Sequence, residues 1–282
     1  MAWHEETLHA DVRQRLRMSR VLYREKTGLQ ELVVFENDTL GRVLSLDGVI
    51  QTTEGDEHAY HEMLAHVPIL AHGAVADVLI IGGGDGGCLR EVLKHPVERV
   101  VLVEIDAGVI DLCREWLPAL SDGAFDDPRT HVEIADGAAF VADTDMRFDL
   151  VIVDSTDPIG PGAILFGAAF YADCRRCLRA DGILVTQNGV PFLQGSELVD
   201  SHRRLSRLFT DVAFYLTVVP TYNGGAMTLG WASDRREHRA VSREVLAARY
   251  DAAGLATRYY NPDVHRAAFA LPNVIRAMLD RG

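Results

Sequence analysis

The chain has 282 residues, 48% of them hydrophobic, and a formal net charge of −13. This length and composition exclude an intrinsically disordered chain, because enough apolar surface is available to form a core. The negative charge disfavours sequence-independent binding to nucleic acid, whose phosphates require a basic surface, and it is compatible with small cationic ligands.

The first residues lack the basic and apolar regions of a signal peptide, and no apolar run approaches the roughly 20 residues that a membrane span needs. We therefore expect a cytoplasmic protein. The four cysteines are too few for a disulfide scaffold at this length, and we expect them to be reduced, with Cys174 and Cys177 serving packing. The four are Cys88, Cys113, Cys174 and Cys177.

The N-terminal segment predicts short antiparallel strands with turns at Gly28 and at the pair Asp47-Gly48. Thr53-Glu-Gly-Asp56 fits a capping box that opens a helix over residues 57–70. The predicted strands are Val21 to Lys26, Leu29 to Glu36 and Gly41 to Leu46.

From residue 77 onward, apolar strands alternate with helical stretches. Such alternation predicts βαβ units and a parallel sheet that is covered by helices on both faces. The strands are Val78 to Ile81, Val100 to Val103, His131 to Ala135, Leu150 to Val153 and Ile183 to Thr186. Two final strands, Val212 to Val219 and Met227 to Ala232, are joined too closely for a helical crossover, so they should pair antiparallel. We place the domain boundary by pattern, giving residues 1–65 and 66–282.

A glycine-rich turn, Gly-Gly-Gly-Asp-Gly-Gly at residues 82–87, follows the first parallel strand. Glycines allow the backbone to approach a ligand closely, although helix packing alone can also require such a turn. Glu104 stands at the tip of the second strand, where an acid typically accepts hydrogen bonds from ribose hydroxyls. Asp136, after the third strand, could receive an adenine amino group or the ribose. A nucleoside is the predicted occupant.

Asp85, inside the glycine-rich turn, limits which nucleoside fits. A dinucleotide would place its pyrophosphate there, and the carboxylate would repel that anion. Ordinary S-adenosylmethionine carries a carboxylate that Asp85 would also oppose, whereas the decarboxylated form presents only an ammonium and a sulfonium. The charge at position 85 therefore favours a cationic nucleoside and disfavours hydride transfer.

Two further carboxylates, Asp154 and Asp157, follow the strand Leu150 to Val153 directly. Ligands of open α/β sheets bind beyond the carboxyl ends of the strands, so both side chains should face the site. A primary alkylamine has a pKa of about 10.4, and only roughly one molecule in a thousand is a neutral nucleophile at pH 7. Two acids suit such a cation, and one of them could accept its proton.

Six motifs together resemble those of spermidine synthase, the polyamine aminopropyltransferase family. They are Val78 to Glu91, Leu46 to Glu54, Tyr60 to Glu62, Val103 to Asp106, Asp154 to Pro161 and Pro220 to Tyr222. The resemblance implies a methyltransferase-like Rossmann domain, with a mostly parallel seven-stranded sheet whose last strand is antiparallel, and a small N-terminal antiparallel β domain. The overall fold class is α/β.

The resemblance also implies the activity, which is transfer of an aminopropyl group from decarboxylated S-adenosylmethionine to putrescine. The products are spermidine and methylthioadenosine. The sulfonium already makes methylthioadenosine a good leaving group, so the reaction needs no metal or redox cofactor, and decarboxylated S-adenosylmethionine is a cosubstrate. The family works as homodimers or homotetramers.

Individual roles follow from the positions that match. Asp154 matches the proton acceptor, and Asp157 and Asp85 match acids that hold substrate ammonium groups. The positions on the amine side are Tyr60, His61, Gln51 and Tyr222. The positions that hold the methylthioadenosine portion are Gln30, Glu104, Asp136, Gly137 and Pro161.

The chain departs from the family pattern at Gly55, where arginine is usual, and at His58, where an aromatic residue is common. Both flank the amine side, so agmatine, cadaverine or spermidine stays open as the acceptor. A methyltransferase using S-adenosylmethionine is disfavoured, because three acids would oppose the substrate carboxylate. A non-catalytic polyamine-binding protein could lack the proton acceptor, which is present here as Asp154.

We expect no metal site in this chain. His61 and His66 resemble the paired histidines of a zinc-protease helix, but one extra residue separates them. On a helix the two side chains would lie about 140° apart rather than on one face.

Overall fold

The computed structural model describes residues 2–158 and 160–281, apart from the side chain of Pro161. The strands are β1 (Ala2–Glu6), β2 (Gln14–Met18), β3 (Arg20–Lys26), β4 (Glu31–Asn37), β5 (Gly41–Leu46), β6 (Val49–Thr53), β7 (Asp77–Gly82), β8 (Arg99–Glu104), β9 (Thr130–Ile134), β10 (Phe148–Asp154), β11 (Leu178–Gln187), β12 (Asp211–Thr217) and β13 (Met227–Ser233). The helices are α1 (His58–His72), α2 (Gly87–Leu93), α3 (Ala107–Trp116), α4 (Pro118–Ser121), α5 (Gly137–Asp143), α6 (Ala168–Cys177), α7 (Pro191–Leu205), α8 (Arg236–Arg239), α9 (Arg243–Ala252), α10 (Pro262–Ala268) and α11 (Asn273–Leu279).

The N-terminal strands form two antiparallel sheets, the pair β1–β2 and the four-stranded order β3-β4-β5-β6. Successive side chains of β4 point to opposite faces of the sheet. Leu32 and Val34 pack towards α3, while Val33 and Phe35 pack against β5 and β6. The tight turn between β5 and β6 is the predicted Asp47-Gly48 pair, both with positive φ, as a type I′ hairpin turn requires.

The larger sheet has seven strands in the order β12-β13-β11-β10-β7-β8-β9. Its strands pair in parallel except at β13, which runs antiparallel to both β11 and β12. Alternate residues of β7 point to opposite faces, so Val78 and Ile80 pack under α1 and α2, whereas Leu79 and Ile81 pack under α5 and α6. The predicted α/β fold, with a mostly parallel sheet and an antiparallel last strand, is confirmed.

Helix α1 begins differently from the prediction. Its N-cap is Glu57, whose side chain makes no cap hydrogen bond, so the predicted capping box is wrong. The hydroxyl of Thr53 instead accepts hydrogen bonds from the backbone N–H groups of Gly55 and Asp56 and donates to the Asp56 carboxylate at 2.6 Å. This closes a turn ahead of the helix. The predicted domain boundary at residue 65 lies within α1, and the division into two domains stays a prediction.

All four cysteine side chains are buried, and each is a free thiol. Burial raises the pKa of every one of them, as is expected of thiols that serve packing. Among the described helices, none has both the length and the apolar character that crossing a bilayer requires.

Candidate active site

A cavity of about 420 Å³ opens at the carboxyl ends of the parallel strands, where β7, β8 and β10 end, and residues of the N-terminal strands close its other side. The cavity brings together every predicted site residue that the structure describes in full. These are Gln30, Gln51, Tyr60, His61, Asp85, Glu104, Asp136, Gly137, Asp154, Asp157 and Tyr222. The side chain of the remaining one, Pro161, lies outside the described part of the chain.

Asp154, the last residue of β10, presents one free carboxylate oxygen. The Tyr60 hydroxyl donates to Oδ1 at 2.7 Å, whereas Oδ2 is buried without a partner among the described residues. Burial and then the charge of Asp85 raise the pKa of Asp154 to about 6, although His61 and the Tyr60 hydrogen bond act in the opposite direction. A carboxylate with this pKa is ionised at neutral pH and is basic enough to take a proton.

Asp85 is paired with a histidine. Its Oδ1 accepts the N–H of Gly87 at 2.8 Å, and its Oδ2 lies 3.4 Å from Nε2 of His61. Burial lowers the pKa of His61, but the carboxylates of Asp85 and Glu57 outweigh it and raise that pKa well above the usual value. Burial raises the pKa of Asp85, but the nearby histidine outweighs burial and holds that pKa below the ordinary range. These opposite shifts favour an imidazolium beside an ionised carboxylate.

Asp157 is a further carboxylate that lines the cavity. Its carboxylate accepts a hydrogen bond from Nε2 of Gln194 on α7, and burial raises its pKa. Glu6 at the end of β1 lines the same cavity, and its Oε2 accepts the N–H of Ile50 at 3.0 Å. Burial raises the pKa of Glu6 too, and the charge of Asp157 adds to the effect. The two carboxylates come from distant parts of the sequence and line the same cavity.

Three residues of this region, Glu6, His9 and Gln194, were not anticipated from the sequence. His9 lines the cavity, and its charge lowers the pKa of Asp157. One signal was available for Glu6, because the alternation of β1 buries His4 and Glu6 on one face. For Gln194 there was none, since its amide reaches Asp157 only through the packing of α7 against the loop after β10.

Two aromatic side chains, Tyr60 and Tyr222, line the cavity together with the acids. The rings of Tyr60 and Tyr222 meet edge to face, with centroids 6.0 Å apart. The Tyr222 hydroxyl donates to the carbonyl of Gln51 at 2.6 Å, and the buried carboxylate of Asp56 accepts from the N–H and hydroxyl of Thr221 at 2.8 and 2.7 Å. These hydrogen bonds connect the loop after β12 to the segment before α1 and fix the position of the Tyr222 ring.

The residues that the sequence predicts to hold a nucleoside lie at strand ends and helix caps. Burial raises the pKa of Glu104 to about 7, and its Oε1 accepts the N–H of Asp106 at 3.0 Å. Asp136 caps α5, accepting the N–H groups of Ala138 and Ala139 with Oδ1 alone. The Gln30 amide donates to Asp106 at 3.1 Å, which joins the N-terminal sheet to the end of β8.

Within residues 2–158 and 160–281, no group of three or more His, Cys, Asp or Glu side chains is arranged to hold a metal ion.

Two family models cover most of the chain. Residues 57–242 match the spermine/spermidine synthase domain. The chain belongs to the spermine/spermidine synthase family. Residues 2–54 match a second model, described as the spermidine synthase tetramerisation domain.

Curated relatives of this family member are similar over almost the full length. A polyamine aminopropyltransferase of a Ruegeria species is 57% identical over 277 residues, which are 98% of each chain. The corresponding protein of Escherichia fergusonii is 56% identical over 278 residues, covering 98% of this chain and 96% of the relative. The predicted enzyme class, polyamine aminopropyltransferase, is confirmed.

Solved structures of the spermine/spermidine synthase family show the same fold. A spermidine synthase in complex with the transition state analogue AdoDATO superimposes with a TM-score of 0.94 at 40% identity, covering 100% of this chain and 96% of the other. The spermidine synthase of Thermotoga maritima gives a TM-score of 0.93 at 40% identity, covering 100% and 95%.

Proposed function

We propose that this aminopropyltransferase moves the aminopropyl group of decarboxylated S-adenosylmethionine to putrescine, with Asp154 as the proton acceptor. The observation that carries the proposal is the free, buried Oδ2 of Asp154 in a cavity that holds Asp85, Asp157 and Glu6 as further carboxylates. Such a cavity suits two cationic substrates and rejects the carboxylate of ordinary S-adenosylmethionine. The binding of the transition state analogue AdoDATO by a similar spermidine synthase supports the same reaction.

The chemistry requires one proton transfer and one substitution. Oδ2 of Asp154 takes a proton from the acceptor ammonium, directly or through water, and the freed nitrogen lone pair attacks the propyl carbon bound to sulfur. The carbon–sulfur bond breaks, and its electron pair neutralises the sulfonium and leaves methylthioadenosine. Because the leaving group is already activated, the protein contributes mainly the base and the alignment of nitrogen with carbon.

The positions of the remaining residues suggest how the substrates divide the cavity. We assign the nucleoside portion to the side of Gln30, Glu104, Asp136 and Gly137, and the aminopropyl ammonium to the carboxylate of Asp85. The acceptor lies along Gln51, Tyr60 and Tyr222, with its distal ammonium between Asp157 and Glu6. The two acids at that end require a second positive charge on the acceptor, which favours a diamine.

A product assay tests the function. Purified protein is mixed with decarboxylated S-adenosylmethionine and, in turn, putrescine, cadaverine, agmatine and spermidine, and methylthioadenosine is measured. We expect the highest turnover with putrescine. Absence of methylthioadenosine with every amine would overturn the assignment, and methylation of an amine by ordinary S-adenosylmethionine would support a methyltransferase instead.

Asp157→Asn is expected to raise the KM for putrescine about tenfold to a hundredfold, which is the range for losing a charge-assisted hydrogen bond. The distal ammonium loses its partner, whereas the base at Asp154 is unchanged. The comparison of putrescine with 1-aminobutane, which lacks the second ammonium, measures the effect directly. We expect the preference for putrescine to shrink in the variant.

The matched control is Asp200→Asn, at a partly exposed carboxylate of α7 that pairs with Arg204 outside the cavity. It should leave the preference for the diamine intact. An Asp157→Asn enzyme that still prefers putrescine over 1-aminobutane as strongly as the parent would contradict the assignment of Asp157.

We further propose that the chain forms a homodimer or homotetramer, as the description of the model matched by residues 2–54 suggests. The division at residue 65 and the cytoplasmic location stay predictions.

A further inference from the structure

A row of ionisable side chains, which includes two buried carboxylates, leads from the active-site cavity into the space between α1 and α2. The Glu57 carboxylate lies 2.8 Å from Nη2 of Arg90, and that guanidinium lies 2.7 Å from Oε1 of Glu91. Oε2 of Glu91 is 3.0 Å from Nε2 of His66 and 2.7 Å from Nζ of Lys94. The carboxylates of Glu57 and Glu91 are both buried. Each is thus compensated by cations on fixed helices.

The Glu57 carboxylate also contacts His61. Its Oε2 lies 2.7 Å from Nδ1 of the histidine, one turn further along α1. Glu57 occupies the N-cap position, where a side chain commonly bonds to the helix N–H groups, yet it makes no such bond. The carboxylate faces the imidazole and Arg90 instead.

The imidazole is also held sterically. It is buried against the glycine-rich turn, and a Cβ at Gly87 would lie 2.3 Å from the ring. With Nδ1 directed at Glu57 and Nε2 directed at Asp85, both ring nitrogens face carboxylates. Only the doubly protonated ring can donate to both. The charged and titratable groups around it are Glu57, Tyr60, Asp85, Arg90 and Asp154.

We propose that Glu57 is a positioning residue for aminopropyl transfer, which acts by holding His61 as a fixed cation beside Asp85, so that Asp154 remains ionised and able to accept the proton. This inference rests on the proposed role of Asp154. Arg90 supports this role, because its guanidinium fixes the position of the Glu57 carboxylate. Glu91 in turn contacts the guanidinium.

The direction of the effect follows from the charges. Asp85 raises the pKa of Asp154, and His61 lowers it. Without Glu57, only Asp85 opposes the effect of burial on His61, so the ring loses its proton at a lower pH. Where the ring is neutral, it no longer lowers the pKa of Asp154, and that pKa rises. Because Asp154 works only when ionised, the acid limb of the rate profile moves to higher pH.

The test is Glu57→Gln, which preserves the shape of the side chain. We expect the acid limb of kcat/KM for decarboxylated S-adenosylmethionine to move to higher pH, with most of the activity regained in alkaline buffer. The matched control is Glu62→Gln, at a buried glutamate of the same helix that accepts the N–H groups of Arg258, Tyr259 and Tyr260. The control should lower thermal stability without moving the acid limb. Equal acid limbs in Glu57→Gln and the parent would overturn the proposal.

A second measurement needs no variant at position 57 and no turnover. Nitrogen-15 NMR of the histidine rings, with His61 assigned by loss of its signals in His61→Asn, reports the protonation of each ring nitrogen. In the substrate-free parent, His61 should remain doubly protonated through pH 8. A ring that titrates between pH 6 and 7, as a solvent-exposed histidine does, would contradict the role of Glu57. The proposed function fails separately, in the methylthioadenosine assay, while this signal is unaffected.

Discussion

Replacement of Asp154 by asparagine is expected to lower kcat by about 10²–10⁴-fold, the usual contribution of a positioned general base. The amide occupies the same volume but cannot accept the ammonium proton. Burial raises the pKa of the native carboxyl, so its ionised form is a cost to the folded state at neutral pH. The variant should therefore unfold at the same temperature as the parent or at a higher one.

Methylthioadenosine formation and thermal unfolding, followed side by side, check both parts of this expectation. Asp145→Asn, at an exposed carboxylate, is the control and should alter neither quantity. If Asp154→Asn turned over within a few-fold of the parent, Asp154 would not be the base.

Replacement of Gly82 by alanine is expected to destabilise the fold by about 3 kcal/mol or more, because two costs coincide. Gly82 has a φ of +82°, and a Cβ there would lie 2.1 Å from the carbonyl oxygen of Asp154. The two residues are register partners in β7 and β10, so neither backbone can withdraw without breaking the pairing. Denaturant unfolding measures the loss.

Gly123→Ala provides the matched comparison. Its φ of +80° is nearly the same, but nothing lies within 4 Å of the added Cβ. It should cost only about 1–2 kcal/mol, the penalty for a left-handed conformation. Equal losses at the two positions would show that backbone conformation alone, rather than the contact with Asp154, makes glycine necessary at position 82.

The central strands of the larger sheet, β7, β8, β10 and β11, could be predicted because each contains a short apolar run that is buried on both faces, and sheet direction followed from the spacing between them. The meeting of Asp85 and Asp154 was also predictable, since both follow parallel strands that end at one edge of one sheet. In the same way, Glu104 and Asp136 were placed by strand ends rather than by their own side chains.

Features that depend on distant packing were not visible in the sequence. Strands β1 and β2 were not predicted, and the capping box was inferred from residue types that instead close a turn before the helix. The pairing of Glu57 with Arg90 joins residues 33 positions apart and exists only because α1 lies on α2. Nor could Asp85 be seen to share its charge with His61 before the helix and the glycine-rich turn were brought together.

Asp154, the proposed proton acceptor, stands at the end of β10 in the middle of the sheet, whereas residues 7–9 after β1 and residues 222–223 after β12 line the cavity from other parts of the chain. Insertions or deletions in these connections can change the length of amine that fits without disturbing the central strand. The amine that the cavity accepts can therefore change during evolution while the transfer reaction stays the same.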